Sequence, residues 1–181
     1  MKDFILDIQA IRNNARDHIL QGAVTSDYRA SRETILKILD SSLATEWLCV
    51  LRYTQHAKAA EGIHAEPVAA HFAEHAKQEQ EHADMLASRI KQLGGTPHLD
   101  PHTFAERAHT VYRECESLTD MIKENLVAER IAIDVYGAAI RYIGAGDPTT
   151  RRMLESILEV EEEHADEMAD LLKAMDPREK F

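Results

Sequence analysis

Cysteine, glycine, proline and phenylalanine are all scarce in this chain: two, seven, five and four among 181 residues. Cys49 and Cys115 form no Cys-x-x-Cys pair, which excludes a zinc knuckle, a rubredoxin-type iron site and a redox dithiol motif. The shortage of turn formers and aromatics disfavours strands and favours long helices. No Lys/Arg run exists and the formal net charge is -11, so the chain lacks the basic footprint of a nucleic-acid binder. No apolar stretch approaches the 18 or so residues of a membrane span, and Met1-Lys2-Asp3-Phe4-Ile5 opens no signal-peptide pattern. A cytoplasmic protein with reduced thiols is the expectation. What remains is an ordinary balance of apolar and charged residues, enough for one domain with a sizeable core.

The apolar spacing predicts a first helix over 2–21, with Phe4, Ile8, Ile11, Ala15 and Ile19 on one side and Gly22 ending it. Four longer helices follow: 31–60; from near Glu66-Pro67 to Gly94-Gly95; 118–143; and from Asp147-Pro148 to Met175. Asp147 before Pro148 is a cap followed by proline at the first helical position. Between the second and third long helices lies a stretch from Thr96 to Glu116 with Pro97 and Pro101, expected to hold one short helix. An all-α four-helix bundle with one long crossover follows, preceded by an N-terminal helix and linker (1–30), occupying 31–176, and ending in a tail (177–181).

At about 100° per residue, each long helix carries an acid inside its apolar stripe. Glu46 lies among Ile35, Leu39, Leu43, Val50 and Tyr53; Glu129 among Ile122, Leu126, Ile133, Tyr136, Ile140 and Ile143. Glu79 and His82 lie among Val68, Phe72, Leu86, Ile90 and Leu93; Glu161 and His164 among Leu154, Ile157, Met168, Leu172 and Met175. One unpaired buried carboxylate costs several kcal/mol or is forced neutral, and four would repel one another. Two divalent cations would balance them, with imidazoles completing the shells. A Glu from each of two helices plus Glu-x-x-His from the other two is the carboxylate-bridged dimetal arrangement.

Glu-x-x-His alone is a weak signal and occurs four times. Glu61/His64 falls at a helix break and Glu106/His109 in the crossover, so both are set aside. The other two belong to an internal repeat. Glu46 and Tyr53 precede Glu79-x-Glu-His-Ala-Asp84, and Glu129 and Tyr136 precede Glu161-x-Glu-His-Ala-Asp166. Two helical hairpins would bring equivalent groups together about a pseudo-twofold axis. Tyr53 and Tyr136 are candidates to hydrogen-bond ligand carboxylates or donate electrons, against a plain role as amphipathic core tyrosines. His75, one turn before Glu79, is an accessory ligand, a group at the access to the site, or a satisfied core histidine. Cys49 reads as packing, and Glu81, Glu162 and Glu163 point off the site face.

At these residues the chain resembles the ferritin-like superfamily and, within it, the bacterioferritins, over about 31–175. The resemblance implies a ferroxidase centre of two iron ions. Glu79 and Glu161 would bridge them, Glu46 and His82 would complete one, and Glu129 and His164 the other. Bacterioferritins place a haem-ligating Met directly after the first bridging Glu; Gln80 stands here, so no haem is expected. Only Asp176-Pro-Arg-Glu-Lys-Phe181 follows the last long helix, where ferritin shells use a fifth helix. The additional N-terminal helix is similar to that of Dps-like proteins which keep a bacterioferritin-type site and form dodecameric shells. The intersubunit site usual in Dps is not visible.

The expected function is oxidation of Fe(II) by O2 or H2O2, with storage or detoxification of iron in a homo-oligomeric shell. Manganese is the other metal these donors accept. The rival enzyme reading is a non-storage dimetal peroxidase or manganese catalase-like protein. A metal-free helical interaction protein is the third, and it leaves the repeat unexplained.

Overall fold

The computed structural model describes residues 5–175, and every regular element among them is helical. The elements are α1 (Ile8–Asp17), a 3-10 turn (Ile19–Gln21), α2 (Arg32–Ala59), α3 (Ala65–Gln92), a 3-10 turn (Pro101–Thr103), α4 (Phe104–Arg107), α5 (Leu118–Ile143) and α6 (Pro148–Met175).

Side-chain caps fix where the long helices begin. Ser31 accepts from the Thr34 amide, Ser117 from the Asp120 amide at 3.1 Å, and Asp147 from the Thr150 amide at 2.9 Å. The Asp147 carboxylate also takes Arg89 Nη2 at 2.9 Å and the Tyr28 hydroxyl at 2.8 Å, tying the start of α6 to α3 and to the linker. After α3 the chain reverses at Gly94, whose φ of 74° is left-handed. A side chain there would also meet the Arg32 guanidinium.

The first helix is shorter than the sequence spacing predicts. Asp7 caps α1 by accepting from the Ala10 amide at 2.9 Å, and the helix breaks at His18 before the 3-10 turn. Phe4 lies outside the described residues. No α1 residue is buried; Ile8 and Ile11 stay half exposed.

α2 and α3 form one antiparallel hairpin and α5 and α6 the other. The crossover between them lies on α2. Phe104 stacks on Trp47, their centroids 6.5 Å apart, and packs with Ala44 and Leu48. Buried Arg52 donates from Nη1 to Thr110 Oγ1 at 3.2 Å and to the Val111 carbonyl at 3.3 Å. His56 Nε2 bonds the Arg113 carbonyl at 2.8 Å, and buried Asn125 links Arg52 to His56. This covering explains why α2 is buried over so much of its circumference.

Two apolar clusters fill the bundle. One contains Leu39, Leu43, Leu86, Ile90, Tyr136, Leu154 and Ile157; the other contains Cys49, Tyr53, Phe72, Ile122, Met168 and Leu172. Along α2 they are separated by a single turn, the one that carries Glu46. The acids thus form a polar layer between two greasy ones. On α5 Ile122, Glu129, Tyr136 and Ile143 of the expected stripe are buried, whereas Leu126, Ile133 and Ile140 are only partly so, and Asn125, Ala128, Ala132 and Ala139 share the buried face.

Candidate metal centre

Glu46, Glu79, His82, Glu129, Glu161 and His164 all lie inside the bundle, each at most 5% exposed. They sort into two groups whose donor atoms lie within 4.8 Å of one another: Glu46, Glu79, His82 and Glu161, and Glu79, Glu129, Glu161 and His164. Glu79 and Glu161 are common to both. His82 Nδ1 faces Glu161 Oε1 at 3.0 Å, Glu79 Oε2 at 3.3 Å and Glu46 Oε2 at 3.8 Å. His164 Nδ1 faces Glu79 Oε1 at 3.5 Å, Glu161 Oε2 at 3.7 Å and Glu129 Oε2 at 3.9 Å. Each imidazole therefore looks at three carboxylates, and the repeat is the reason.

The two tyrosines cross between the hairpins. Tyr53 of α2 donates to Glu129 of α5, and Tyr136 of α5 donates to Glu46 of α2. A hydroxyl thus fixes one oxygen of each carboxylate not shared between the two groups. Burial, followed by the neighbouring carboxylates, pushes both phenols well above their usual range, so they stay protonated donors.

Protons carry the charge balance of the metal-free layer. Burial, then repulsion from Glu79 and Glu161, raises Glu46 and Glu129 well above the usual carboxylate range. Burial opposes charge on His82, but the facing carboxylates of Glu161, Glu46 and Glu79 outweigh it and push the imidazole up to about 12. His164 is likewise opposed by burial and raised to about 9 by Glu161 and Glu79. Burial works against ionised Glu79 as well; the facing imidazoles of His164 and His82 overcome it and hold this carboxyl below its ordinary range.

Even so the layer is not satisfied. Glu79 Oε1, both oxygens of Glu161 and His164 Nδ1 are buried without a hydrogen-bond partner, because the nearby groups are not aligned for one. Each such group carries a penalty of about 1–3 kcal/mol. Unpartnered donors of oxygen and imidazole type, converging in a dry core, fit divalent metal ions.

The remaining sequence candidates fall elsewhere. Glu61 and His64 are exposed before α3. Glu106 is exposed, and His109 pairs with Thr45 Oγ1 at 3.2 Å. Cys49 is buried beside Arg52, and burial raises its thiol well above the usual range. Glu81, Glu162 and Glu163 are exposed, as their helical phase predicts. His75 is nearly buried and stacks on His164, ring centroids 3.9 Å apart. Its Nε2 bonds Glu167 Oε2 at 2.9 Å, and His71 approaches the same oxygen. The spacing pointed to His75 but not to His71 or Glu167. The available signal was His71 and His75 one turn apart on α3, with Glu167 one turn after His164.

This fold matches known proteins. A profile of the ferritin-like domain matches residues 36–176, and the chain belongs to the ferritin-like family. The bacterioferritin-related protein of Bacteroides fragilis, a dodecameric thioferritin, is 31% identical. It superposes with a TM-score of 0.78, over 81% of this chain and 89% of that one. The bacterioferritin of Mycobacterium tuberculosis is 25% identical with a TM-score of 0.70, over 80% of this chain and 87% of that one. The DNA protection during starvation protein of Pyrococcus furiosus is 29% identical over 143 residues, 77% of each chain. Among the described residues no helix is long and apolar enough to cross a membrane.

Proposed function

We propose that this protein is a ferroxidase. Glu46, Glu79, His82, Glu129, Glu161 and His164 bind two Fe(II) ions within one subunit, and O2 or H2O2 is the oxidant. The observation that carries this reading is the set of unpartnered oxygens on Glu79 and Glu161, the two acids common to both donor groups. Glu79 and Glu161 are the bridging carboxylates in this reading; Glu46 with His82 and Glu129 with His164 complete the two positions.

Each bound Fe(II) supplies one electron to the oxidant and becomes Fe(III). The chain's own residues make that favourable. Four carboxylates, hard donors, suit the oxidised ion, and two imidazoles suit the ferrous one. His82 and His164 release their protons when their Nδ1 atoms become donors. Tyr136 and Tyr53 hold Glu46 and Glu129 in orientation through the hydrogen bonds described above. The apolar layers on either side keep bulk water from the centre and strengthen its electrostatics.

The working assembly is a homo-oligomer that stores or detoxifies iron, and the dodecameric thioferritin supports twelve as its size. Gln80, exposed on α3, gives no sulfur for haem. The net charge of -11 gives no electrostatic footing for nucleic acid, whatever the name of the Pyrococcus relative implies for that protein.

Stopped-flow mixing of Fe(II) with the metal-free protein tests the proposal. Oxidation should be much faster than for free Fe(II) and should fall at least tenfold in Glu79→Ala, as expected when a ligand shared by both ions is removed. Equal rates with and without protein, or an unchanged rate in the variant, would remove it. Disproportionation of peroxide by a manganese-loaded, small oligomer would instead select the catalase-like reading.

A further inference from the structure

The internal repeat is faithful at the buried donors and breaks at one edge. Four and eight positions before Glu79 stand His75 and His71; four and eight before Glu161 stand Ile157 and Met153. Six positions after Glu161 stands Glu167; six after Glu79 stands Met85. One edge of the α3–α6 pair therefore carries His71, His75 and Glu167. The pseudo-twofold equivalent carries Met153, Ile157 and Met85. Three apolar residues have metal-ligating counterparts, all on the same side.

The structure brings both sets together. His75 Nε2 lies 2.9 Å and His71 Nδ1 3.3 Å from one oxygen of Glu167. The donor atoms of this trio all lie within 4.8 Å of one another. At the equivalent edge, Met85 and Met153 line one pocket and Ile157 is wholly buried. The polar edge opens into a pocket of about 510 Å³ whose lining also includes Gln78 and His164. Gln78 Oε1 lies 2.9 Å from His164 Nε2, the nitrogen turned away from the dimetal layer.

His75 is only 2% exposed, and the nitrogen it turns to Glu167 is Nε2, while its Nδ1 has no hydrogen-bond partner. A buried imidazole kept for packing would have both nitrogens satisfied, or be replaced by the aliphatic residue found in the other half of the repeat.

We propose that His71, His75 and Glu167 form a third divalent-cation site, at the mouth of the pocket that leads to His164. Two imidazoles and a carboxylate select a borderline transition-metal ion, Fe(II), Co(II) or Zn(II), over Mg(II) or Ca(II). Three protein donors leave coordination positions for water. His71 and Glu167 are about half exposed, so the bound ion exchanges readily with solvent. Through His75 the site stands one stacked ring from His164. The existence of this site does not rest on the dimetal reading.

Co(II) under anaerobic conditions, with the metal-free full-length protein, tests this. Crystals loaded with Co(II) should give an anomalous peak among His71, His75 and Glu167, separate from the two peaks of the buried layer. Calorimetry in solution should count one more Co(II) per chain than in His71→Ala or Glu167→Gln. Both changes sit on half-exposed side chains, and both variants should keep the buried pair. Two buried peaks with nothing at the mouth, or equal stoichiometry in the variants, would overturn the third site while leaving the dimetal centre standing. A peak at the mouth alone would uphold the third site and defeat the dimetal reading. No peak anywhere would defeat both.

Discussion

Lowering the pH should strip cations from the buried layer far more steeply than from a surface site. In the metal-free protein His82 and His164 hold protons up to about 12 and about 9, so both are charged throughout the neutral range. Each must lose its proton before its Nδ1 can bind a metal. Each displaced proton changes affinity about tenfold, or about 1.4 kcal/mol, per pH unit. For two imidazoles the product of the two binding constants should therefore fall by about 10⁴ between roughly pH 8 and pH 6. Glu46 and Glu129, raised by burial, add to the fall in the same direction. Co(II) or Zn(II) titrations by calorimetry, repeated in buffers of different ionisation enthalpy, count the released protons directly. Affinity that is flat over this range, with no dependence on buffer, would refute the picture of protons standing in for metal ions.

Stability of the metal-free protein should follow the same protons. His82 and His164 have folded pKa values above the ordinary histidine value, so their stabilisation is full below about 6.5 and is lost as pH rises toward about 9 and beyond. Glu46 and Glu129 must ionise in the same direction, so the melting temperature should drop from mildly acid to alkaline pH; a rise would contradict the assignment. Saturation with Co(II) should remove that trend, read by the same thermal scan. Tyr136→Phe and Tyr53→Phe should each weaken binding by about 10–100-fold without loss of helicity, as loss of an outer-shell partner does. Asp147→Ala removes the α6 cap and leaves buried Arg89 without its carboxylate. It should cost about 3–5 kcal/mol in denaturant unfolding while leaving metal stoichiometry unchanged.

The long helices and the burial of six Glu and His side chains were legible because helical phase is a strong constraint. An acid inside an apolar stripe, repeated in all four helices, has few explanations. Asp147-Pro148 marked a helix start for the same local reason, since caps act within three residues; Ser117 caps α5 in the same way. What the sequence hid depends on distant partners. Periodicity gave Tyr53 and Tyr136 as neighbours of the site but not the exchange of hydrogen bonds between hairpins. Weighting large aliphatics found Ile122, Tyr136 and Ile143 on the buried face of α5 but not Asn125 and the alanines that share it. Arg52 is buried only because the crossover lies over it. Glu167 looks like one more solvated acid on an acidic helix until His71 and His75 face it across the bundle edge.

The most direct test of the dimetal claim is to load the metal-free protein with Fe(II) anaerobically, desalt it, and measure iron content and native mass together. About two tightly held ions per chain are expected, carried by a homo-oligomer and lost in a Glu79→Ala, Glu161→Ala double variant that keeps its fold. Retention of no iron, or the same iron content in that variant, would contradict it.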